Sequence, residues 1–257
     1  MKSASYLPEA EAVPEYAWSL FPSGESLLII EVAGTDRIVQ NRRARNFAAR
    51  VAAAQLAYVI DIAPAMTTVG IHYEPSGVPL SHPAEAPYDA LAKVVTGLLE
   101  RATAAQPKSA RIVEIPVCYG GEHGPDLENV ARSCGLSSNE VIALHSESLL
   151  DVMLLGFAPG HPYIGMFDER LSPPRRATPR VAVAPGSVGL ANRQSVIYPM
   201  TMPGGWNLIG RTPSLMFDAS RDTPCLVNAG DRIRFVPITP KQFQACQSTD
   251  RHARAAR

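Results

Sequence analysis

The chain has 257 residues, which at roughly 150 residues per domain is enough for one large domain or two ordinary ones. Its 24 lysines and arginines balance 24 aspartates and glutamates, and this zero net charge argues against nucleic acid as a partner, because phosphate binding normally needs a basic excess. No apolar run approaches the roughly 18 residues that span a bilayer, and the N-terminus lacks the apolar region of a secretory signal, so we expect a cytoplasmic protein without a membrane partner.

The N-terminal part alternates short β-branched runs with helical periodicity. Residues 1–20 predict a leader, and Asp36 stands where it can cap a helix. The predicted elements are, in chain order, a strand over 26–32, a helix over 38–59, a strand over 67–73 and a helix over 88–102. This β-α-β-α order predicts a small α+β domain over residues 21–106, with a mixed or antiparallel sheet.

Polar residues at 104–109 predict a domain boundary, and residues 110–240 predict a second domain. It contains two short helices: Gly135 is expected to end the first, and Ser137 with Glu140 forms a capping box for the second. Short strand-like runs between Gly/Pro loops then predict a β-barrel or a sandwich. These runs are 111–118, 151–155, 180–183, 187–191, 195–198 and 232–236. The polar, basic residues 241–257 predict a frayed tail.

Several motifs of catalysis and cofactor binding are missing from the sequence. There is no GxxxxGK[ST] phosphate loop, no GxGxxG after a strand and no HExxH pair. The run 186–189 is similar to a nucleophile elbow, but Pro185 occupies the position where that turn needs glycine. The four cysteines form no CxxC pair, so we predict reduced thiols and no metal site. The sequence therefore does not show ATP or metal chemistry by this chain alone.

The segment 155–213 is the richest in candidate site residues. Its prolines pre-organise loops, and each loop has two readings. His161 lies either in a rigid turn, exposed to solvent, or in a ligand loop where it meets a carbonyl or carboxylate. The four arginines of 170–180 form either a solvated loop or a rigid anion-binding loop. Trp206 is either a loop plug in the core or a platform for a ligand.

Two further residues stand at helix ends. Asp126 is most simply read as an N-terminal capping carboxylate. His145 lies at the end of a short helix, where it either complements the helix dipole or has a functional role.

These segments together closely resemble the family of 5-oxoprolinase B subunits, which is also labelled allophanate hydrolase subunit 1 or carboxyltransferase subdomain C/D and includes a sporulation-kinase inhibitor. The segments that carry the resemblance are CYGGEHGPDLENVA, ALHS, LLGFAPGHPYIGMFDERL, SPPRRATPRVAVAPGSVGLANRQSVIYPMTMPGGWNLIGRTP and NAGDRIRFVPI. The resemblance covers roughly residues 20–240. The family commonly has phenylalanine where this chain has His161, which leaves an altered choice of substrate open.

The resemblance implies an α+β protein: a ferredoxin-like α/β sandwich at the N-terminus, followed by a cyclophilin-like β-barrel. It implies a polypeptide that works with a homologous C subunit and with an A subunit to open 5-oxo-L-proline to L-glutamate, with ATP as the cofactor of the complex. Two alternatives stay open: a subunit of an allophanate- or urea-processing carboxyltransferase-type hydrolase, and an inhibitor of a histidine kinase that works as a binding module.

The chemistry of a lactam indicates which residues of the family segment form the site. A lactam is a poor electrophile, so its carbonyl oxygen is phosphorylated first, and charge then develops on oxygen in the transition state. We therefore expect anion-stabilising groups, and we assign catalytic roles to Arg176, Arg180 and His145. Substrate-binding roles are assigned to Gly160, His161, Tyr163, Arg175, Gly186, Ser187, Gln194, Gly204, Gly205, Trp206 and Arg211.

Overall fold

The computed structural model describes residues 17–100 and 110–255, and the chain divides into two compact units, Met1–Thr103 and Ala104–Arg257. Most of the predicted leader, and all of the predicted boundary at 104–109, lie outside the described residues. All four cysteines are free thiols. Within the described ranges, no helix combines the length and the apolar character needed to cross a bilayer.

The N-terminal unit is an antiparallel sheet with two helices. Its elements are β1 Trp18–Pro22, β2 Leu27–Val32, α1 Arg37–Ala53, β3 Val59–Pro64, β4 Thr68–Tyr73, a 3-10 turn at Pro75–Gly77, and α2 Pro87–Glu100. The strands lie in the order β1-β2-β4-β3. Alternate side chains of the two central strands are buried, and they form one core with the apolar faces of both helices.

The two edge strands of this sheet were not predicted from the sequence, so the observed order is β-β-α-β-β-α. β1 begins inside the predicted leader 1–20, at Trp18, and β3 begins at Val59, the last residue of the predicted helix 38–59. Edge strands pair on one side only and bury fewer side chains, which weakens their hydrophobic alternation. The helix ends at Ala53 because the chain turns at Gln55, whose φ is 46°. The Asp36 cap is confirmed, with its carboxylate accepting the Ile38 N–H at 2.8 Å.

The C-terminal unit is built around a closed barrel. Its elements are β5 Ile112–Tyr119, α3 Leu127–Cys134, α4 Ser138–Ser146, β6 Leu149–Leu155, β7 Pro162–Gly165, β8 Arg180–Val183, β9 Ser187–Ala191, β10 Gln194–Ile197, β11 Met202–Gly204, β12 Asn207–Arg211, β13 Arg232–Pro237 and α5 Pro240–Ala255. Seven strands close the barrel in the order β10-β7-β6-β13-β5-β12-β9, so the structure selects the barrel over the sandwich. The pair β13–β5 is parallel, and the other barrel pairs are antiparallel.

β8 and β11 form a separate two-stranded ribbon that covers part of the barrel wall. All five residues of β9 are buried, because both of its faces are covered. Val188 and Leu190 belong to the main barrel core, whereas Ala191 belongs to a second cluster with Val183 of the ribbon and Trp206. The ribbon, its flanking loops and this second cluster define the place where the candidate site lies.

The two short helices follow the predicted end signals. Gly135 ends α3 with a φ of 67°, which is the left-handed region that favours glycine. Ser137 and Glu140 form the expected capping box at the start of α4.

The C-terminal residues form a helix where a frayed tail was predicted. α5 is polar, and its sequence lacks a continuous apolar stripe. Phe243 is nevertheless 2% exposed, and its ring lies 4.3 Å from that of His123. Thr239 and Gln242 form a capping box at the start of α5, with Pro240 as its first residue, so the sequence contained a local helix signal that the prediction of a frayed tail overlooked.

Candidate functional site

The arginine-bearing loop before β8 is tied to the chain around Trp206. The backbone N–H of Arg176 donates to the Gly205 carbonyl at 2.8 Å, and the Asn207 side-chain amide donates to the Pro174 carbonyl at 2.8 Å. The prolines in this loop limit its backbone freedom. These contacts fix the backbone of the loop, and its role in anion binding stays a prediction.

Two of the arginines converge on one buried carboxylate. Asp126 is 3% exposed, and its Oδ1 accepts from Arg176 Nη1 at 3.1 Å and from Arg180 Nη2 at 2.9 Å. Its Oδ2 accepts the backbone N–H of Leu208 at 2.7 Å. Asp126 precedes α3 but makes no side-chain capping bond, so the capping interpretation of this residue is wrong. It is the counter-ion of the arginine loop and also connects that loop to β12.

The electrostatics of the cluster keep this carboxylate ionised. Burial alone would raise the pKa of Asp126, but the hydrogen bonds from Arg180 and the Leu208 N–H, with the charges of Arg180 and Arg176, lower it below the ordinary value. Two guanidinium groups and one carboxylate leave the cluster with one net positive charge. The Nε of Arg176 is buried and has no hydrogen-bond partner among the described residues.

Arg175 points to a different neighbour. Its guanidinium carbon lies 4.8 Å from the ring centroid of Trp206, which is a cation–π contact. Among the described ion pairs, Arg175 has no carboxylate partner. Arg211 likewise has none there, and its Nε donates to the Pro185 carbonyl at 2.8 Å. Among the described ion pairs, these two arginines therefore have no acidic partner, whereas Arg176 and Arg180 share one carboxylate.

His161 lies within a cluster of aromatic rings and is not solvated. It is 1% exposed, and its ring centroid lies 5.1 Å from Tyr163, 5.3 Å from Tyr198 and 5.8 Å from Phe157. Tyr163 in turn lies 6.1 Å from Trp206, so the rings form a continuous series from His161 to the cation–π pair. Burial lowers the pKa of His161 to about 4, and the imidazole is neutral at pH 7.

Tyr198 closes the cluster from the barrel side. It is 1% exposed, and burial raises the pKa of its phenol, so the hydroxyl keeps its proton at neutral pH. The hydroxyl is near the backbone at Trp206 but forms no well-aligned hydrogen bond with any described residue. The site thus combines flat apolar walls, neutral polar groups and fixed positive charge.

The adjacent glycines at the β11 end give the first prediction. A Cβ on Gly204 would lie 2.1 Å from the Tyr198 hydroxyl oxygen, whereas one on Gly205 would meet Pro179 Cγ at 3.6 Å, an ordinary contact. We expect Gly204→Ala to displace the rigid, buried tyrosine and to cost about 2 kcal/mol of unfolding free energy, as overpacking typically does. Gly205→Ala is the matched control and should stay close to wild type. Urea unfolding of both variants measures this, and equal midpoints would contradict the prediction.

The remaining predicted substrate-binding residues have structural partners or positions in the barrel wall. The Gly186 N–H, expected to stabilise an anion, donates to the Tyr198 carbonyl at 2.7 Å. Gly160 has a φ of 75° and packs so closely that an added Cβ would lie 2.8 Å from Phe217 Cβ. Ser187 is 4% exposed in β9. Gln194 lies in β10, and its side-chain nitrogen is buried without a partner among the described residues.

The structure places His145 in the barrel core, among Phe167, Phe235, Tyr119 and Ser195. It is fully buried, and its ring stacks on Phe235 at 4.2 Å and on Phe167 at 4.8 Å. Burial lowers its pKa to about 3.

Both ring nitrogens of His145 are occupied. Ser195 Oγ donates to the Gly189 carbonyl at 2.9 Å, so it accepts from His145 Nε2 at 3.1 Å. Nδ1 is then the acceptor of the Tyr119 hydroxyl at 2.8 Å. This arrangement gives His145 a structural part in the barrel, and its assigned catalytic role has no support in these contacts.

Asp126 is the residue of this site that sequence reasoning missed. Its position before α3 suggested a cap, and its true partners lie 50 to 82 residues further along the chain. A signal for it was present in the sequence. The four arginines of 170–180 have only Asp168 and Glu169 as nearby carboxylates, so a counter-ion from elsewhere in the chain was to be expected.

A family model and several relatives match most of this chain. The matching family model is described as the carboxyltransferase domain, subdomain C and D, and it matches residues 18–227. Two curated relatives are named as the B subunit of 5-oxoprolinase. The relative from Escherichia coli O157:H7 is 40% identical over 214 residues, which cover 83% of this chain and 93% of the relative. The relative from Bacillus subtilis (strain 168) is 40% identical over 194 residues, which cover 72% and 78%. The chain belongs to the family of 5-oxoprolinase B subunits.

A solved structure gives the same result for the fold. The crystal structure of TTHA0988 in space group P6522 superposes with a TM-score of 0.69 at 34% sequence identity. The match covers 83% of this chain and 40% of the TTHA0988 chain, so this chain spans well under half the length of that protein.

Proposed function

We propose that this chain is the B subunit of an ATP-dependent 5-oxoprolinase, which opens 5-oxo-L-proline to L-glutamate. The observation that carries the proposal is the 40% identity to a 5-oxoprolinase B subunit over 93% of that relative's length. The relative's name indicates a complex, and we propose a homologous C subunit and an A subunit as the partners. We also propose that ATP acts in this complex, held by partner subunits, since the sequence has no phosphate-binding loop.

The site geometry supports this substrate on chemical grounds. 5-Oxoproline is a small flat ring with a carboxylate that is ionised at neutral pH. The charge of Arg175 and the aromatic rings beside it suit such a molecule, because a guanidinium binds a carboxylate and an aromatic ring accepts a flat ring against it. The net positive charge of the Asp126 cluster suits the negative charge that develops on the lactam oxygen.

The finer names of the fold belong to the same proposal. Three strands of the N-terminal sheet, in the order β2-β4-β3 with helices α1 and α2, support a ferredoxin-like arrangement in which β1 occupies the remaining edge. The closed barrel supports the cyclophilin-like label for the second unit. A cytoplasmic location is part of the proposal as well.

The test is reconstitution of the complex. The chain, mixed with the C and A subunits, is expected to release glutamate from 5-oxo-L-proline only when ATP is present, and omission of the chain should abolish release. Arg175→Ala should raise the KM for 5-oxo-L-proline about tenfold, the size of one lost charge-assisted hydrogen bond. Lys93→Ala, an exposed cation in α2, is the control. A complex that consumes urea or allophanate and leaves 5-oxo-L-proline intact would contradict the proposal and favour the carboxyltransferase-type alternative.

A further inference from the structure

The Asn207 side chain connects the loop residue that precedes Arg175 to the barrel wall. Its amide nitrogen donates to the Pro174 carbonyl at 2.8 Å and to the Leu190 carbonyl of β9 at 3.1 Å. A primary amide nitrogen carries two hydrogens, and a carbonyl oxygen can only accept, so both hydrogens of this nitrogen have a partner. One side chain therefore ties the arginine-bearing loop to a strand of the closed barrel.

A second hydrogen bond holds the loop on the other side of Arg175. The N–H of Arg176 donates to the Gly205 carbonyl at 2.8 Å. The Pro174 carbonyl belongs to the peptide plane before the Cα of Arg175, and the Arg176 N–H belongs to the plane after it. Because peptide units are planar, holding both planes sets the direction in which the Arg175 side chain leaves the backbone. The two anchoring residues flank Trp206 in the sequence, so Arg175 is held opposite that ring.

Trp206 is the fixed member of this pair, and Arg175 is the exposed one. Trp206 is buried, and its Cβ packs so closely on β9 that a Cβ added to Gly189 would lie 2.7 Å from it. Arg175 is exposed, and its guanidinium carbon lies 4.8 Å from the centroid of the Trp206 ring. A long exposed side chain loses conformational entropy when it binds a ligand, and a backbone that already directs it reduces that loss.

We infer that Asn207 is a positioning residue, which holds the backbone of Arg175 so that the guanidinium stays over Trp206, where it can meet the carboxylate of the substrate. This inference rests on the proposed function and adds to it a residue that acts through Arg175. Without Asn207, the guanidinium spends a smaller share of the time in the competent direction. The apparent affinity for the carboxylate falls by that share, so KM rises and kcat changes little.

The kinetic experiment separates carboxylate binding from ring binding in the reconstituted complex. 5-Oxo-L-proline is the substrate, and 2-pyrrolidinone, the same lactam ring without the carboxylate, is the competitive inhibitor. Asn207→Ala should raise the KM for 5-oxo-L-proline about fivefold, the size of one hydrogen bond, with kcat and the inhibition constant of 2-pyrrolidinone little changed. In an Arg175→Ala background the same substitution should add no further rise, because the residue that it positions is already lost.

Two further variants serve as control and rescue in the same assay. Gln40→Ala removes a hydrogen bond of the same kind, from a side-chain amide to the Val32 carbonyl at 2.8 Å, but in the N-terminal unit, and it should keep the wild-type KM. Asn207→Gln keeps the amide on a longer side chain and should restore part of the loss.

Quenching of tryptophan fluorescence tests the positioning in the full chain alone, without the reaction. A Trp18→Phe chain keeps Trp206 as its one tryptophan. Arg175 lies over that ring, so Arg175→Ala should raise the quenching constant of acrylamide. We expect Asn207→Ala to raise it by a similar amount, and the double variant to match Arg175→Ala.

The two experiments distinguish failure of the inference from failure of the proposed function. An equal loss of affinity for 5-oxo-L-proline and 2-pyrrolidinone, or a KM effect that adds fully to that of Arg175→Ala, would overturn the inference and leave the proposed function intact. A wild-type complex that releases no glutamate would contradict the proposed function. The quenching data then decide alone, and a wild-type quenching constant in Asn207→Ala overturns the positioning role. If Asn207→Ala does not fold, Asn207→Leu replaces it in both experiments, since leucine fills a similar volume without a donor.

Discussion

Asp126→Ala is expected to destabilise the C-terminal unit by about 3 kcal/mol, because it removes three contacts at once. The Leu208 N–H loses its acceptor inside the protein, and Arg176 and Arg180 lose their counter-ion. The side chains of the two arginines are 35% and 24% exposed, so water can recover part of their solvation, and we place the cost at the low end for a broken buried pair. For a chain of this size the melting temperature should fall by roughly 6–12 °C.

Tryptophan fluorescence can measure this loss in the correct unit. The chain has two tryptophans, Trp18 in β1 and Trp206 in the site, so a Trp18→Phe background leaves the signal of Trp206 alone. Asp168→Ala is the matched control: Asp168 also pairs with an arginine, Arg170, but on the surface, and its removal should barely move the transition. An Asp126→Ala protein with the wild-type midpoint would show that the cluster does not hold the loop.

The same cluster changes the roles that the sequence assigned to the arginines. Arg176 and Arg180 were predicted to be catalytic, yet the structure commits part of their charge to Asp126. Asp126→Asn keeps an acceptor for the Leu208 N–H but removes the negative charge. We therefore expect this variant to lower turnover in the complex while most of the free energy of unfolding is retained. Arg175, to which the sequence assigned a substrate-binding role, keeps that role in our proposal.

Lowering the pH from 7.5 to 5 is expected to cost the protein about 4 kcal/mol of unfolding free energy through two histidines. Burial lowers the pKa of His145 to about 3 and that of His161 to about 4, whereas an unfolded histidine has an ordinary value near 6.5. Between these values the unfolded chain binds protons that the folded chain does not. The stabilisation is therefore complete above about pH 6.5 and decreases as the pH falls, by about 2 kcal/mol for each histidine at pH 5.

Urea unfolding between pH 5 and pH 7.5 measures this slope. Two variants divide it: His161→Phe and His145→Gln should each remove about half of the pH dependence, whatever they do to the stability at pH 7.5. If the free energy of unfolding of the wild-type protein stays constant as the pH is lowered from 6.5 to 5, both histidines titrate in the fold as they do in water, and the burial argument fails. Asp126 contributes to the pH dependence of the free energy of unfolding mainly below pH 5, because its pKa is lowered in the fold.

Local signals in the sequence were sufficient for much of the architecture. Asp36, Gly135 and the Ser137–Glu140 pair each act within four residues of their own position, so their capping roles could be predicted and are confirmed. The strands 180–183 and 187–191 were predicted with the bounds that the structure shows, because β-branched runs between Gly/Pro turns are a local pattern. The family resemblance rests on the same local text, and the matching family model and the curated relatives confirm it.

What the sequence by itself determined is therefore the two-part organisation of helices and strands, the barrel as one of two options, the family, and the segment that contains the candidate site. Only the tertiary structure decided which arginines are balanced, since Asp126 meets partners 50 and 54 positions away. It also decided that His145 belongs to the core and His161 to an aromatic cluster, because burial depends on which strands and loops pack over a residue. The physical reason is the same in each case: hydrogen-bond partners, burial and pKa values arise from contacts distant in sequence, and a local pattern carries no information about them.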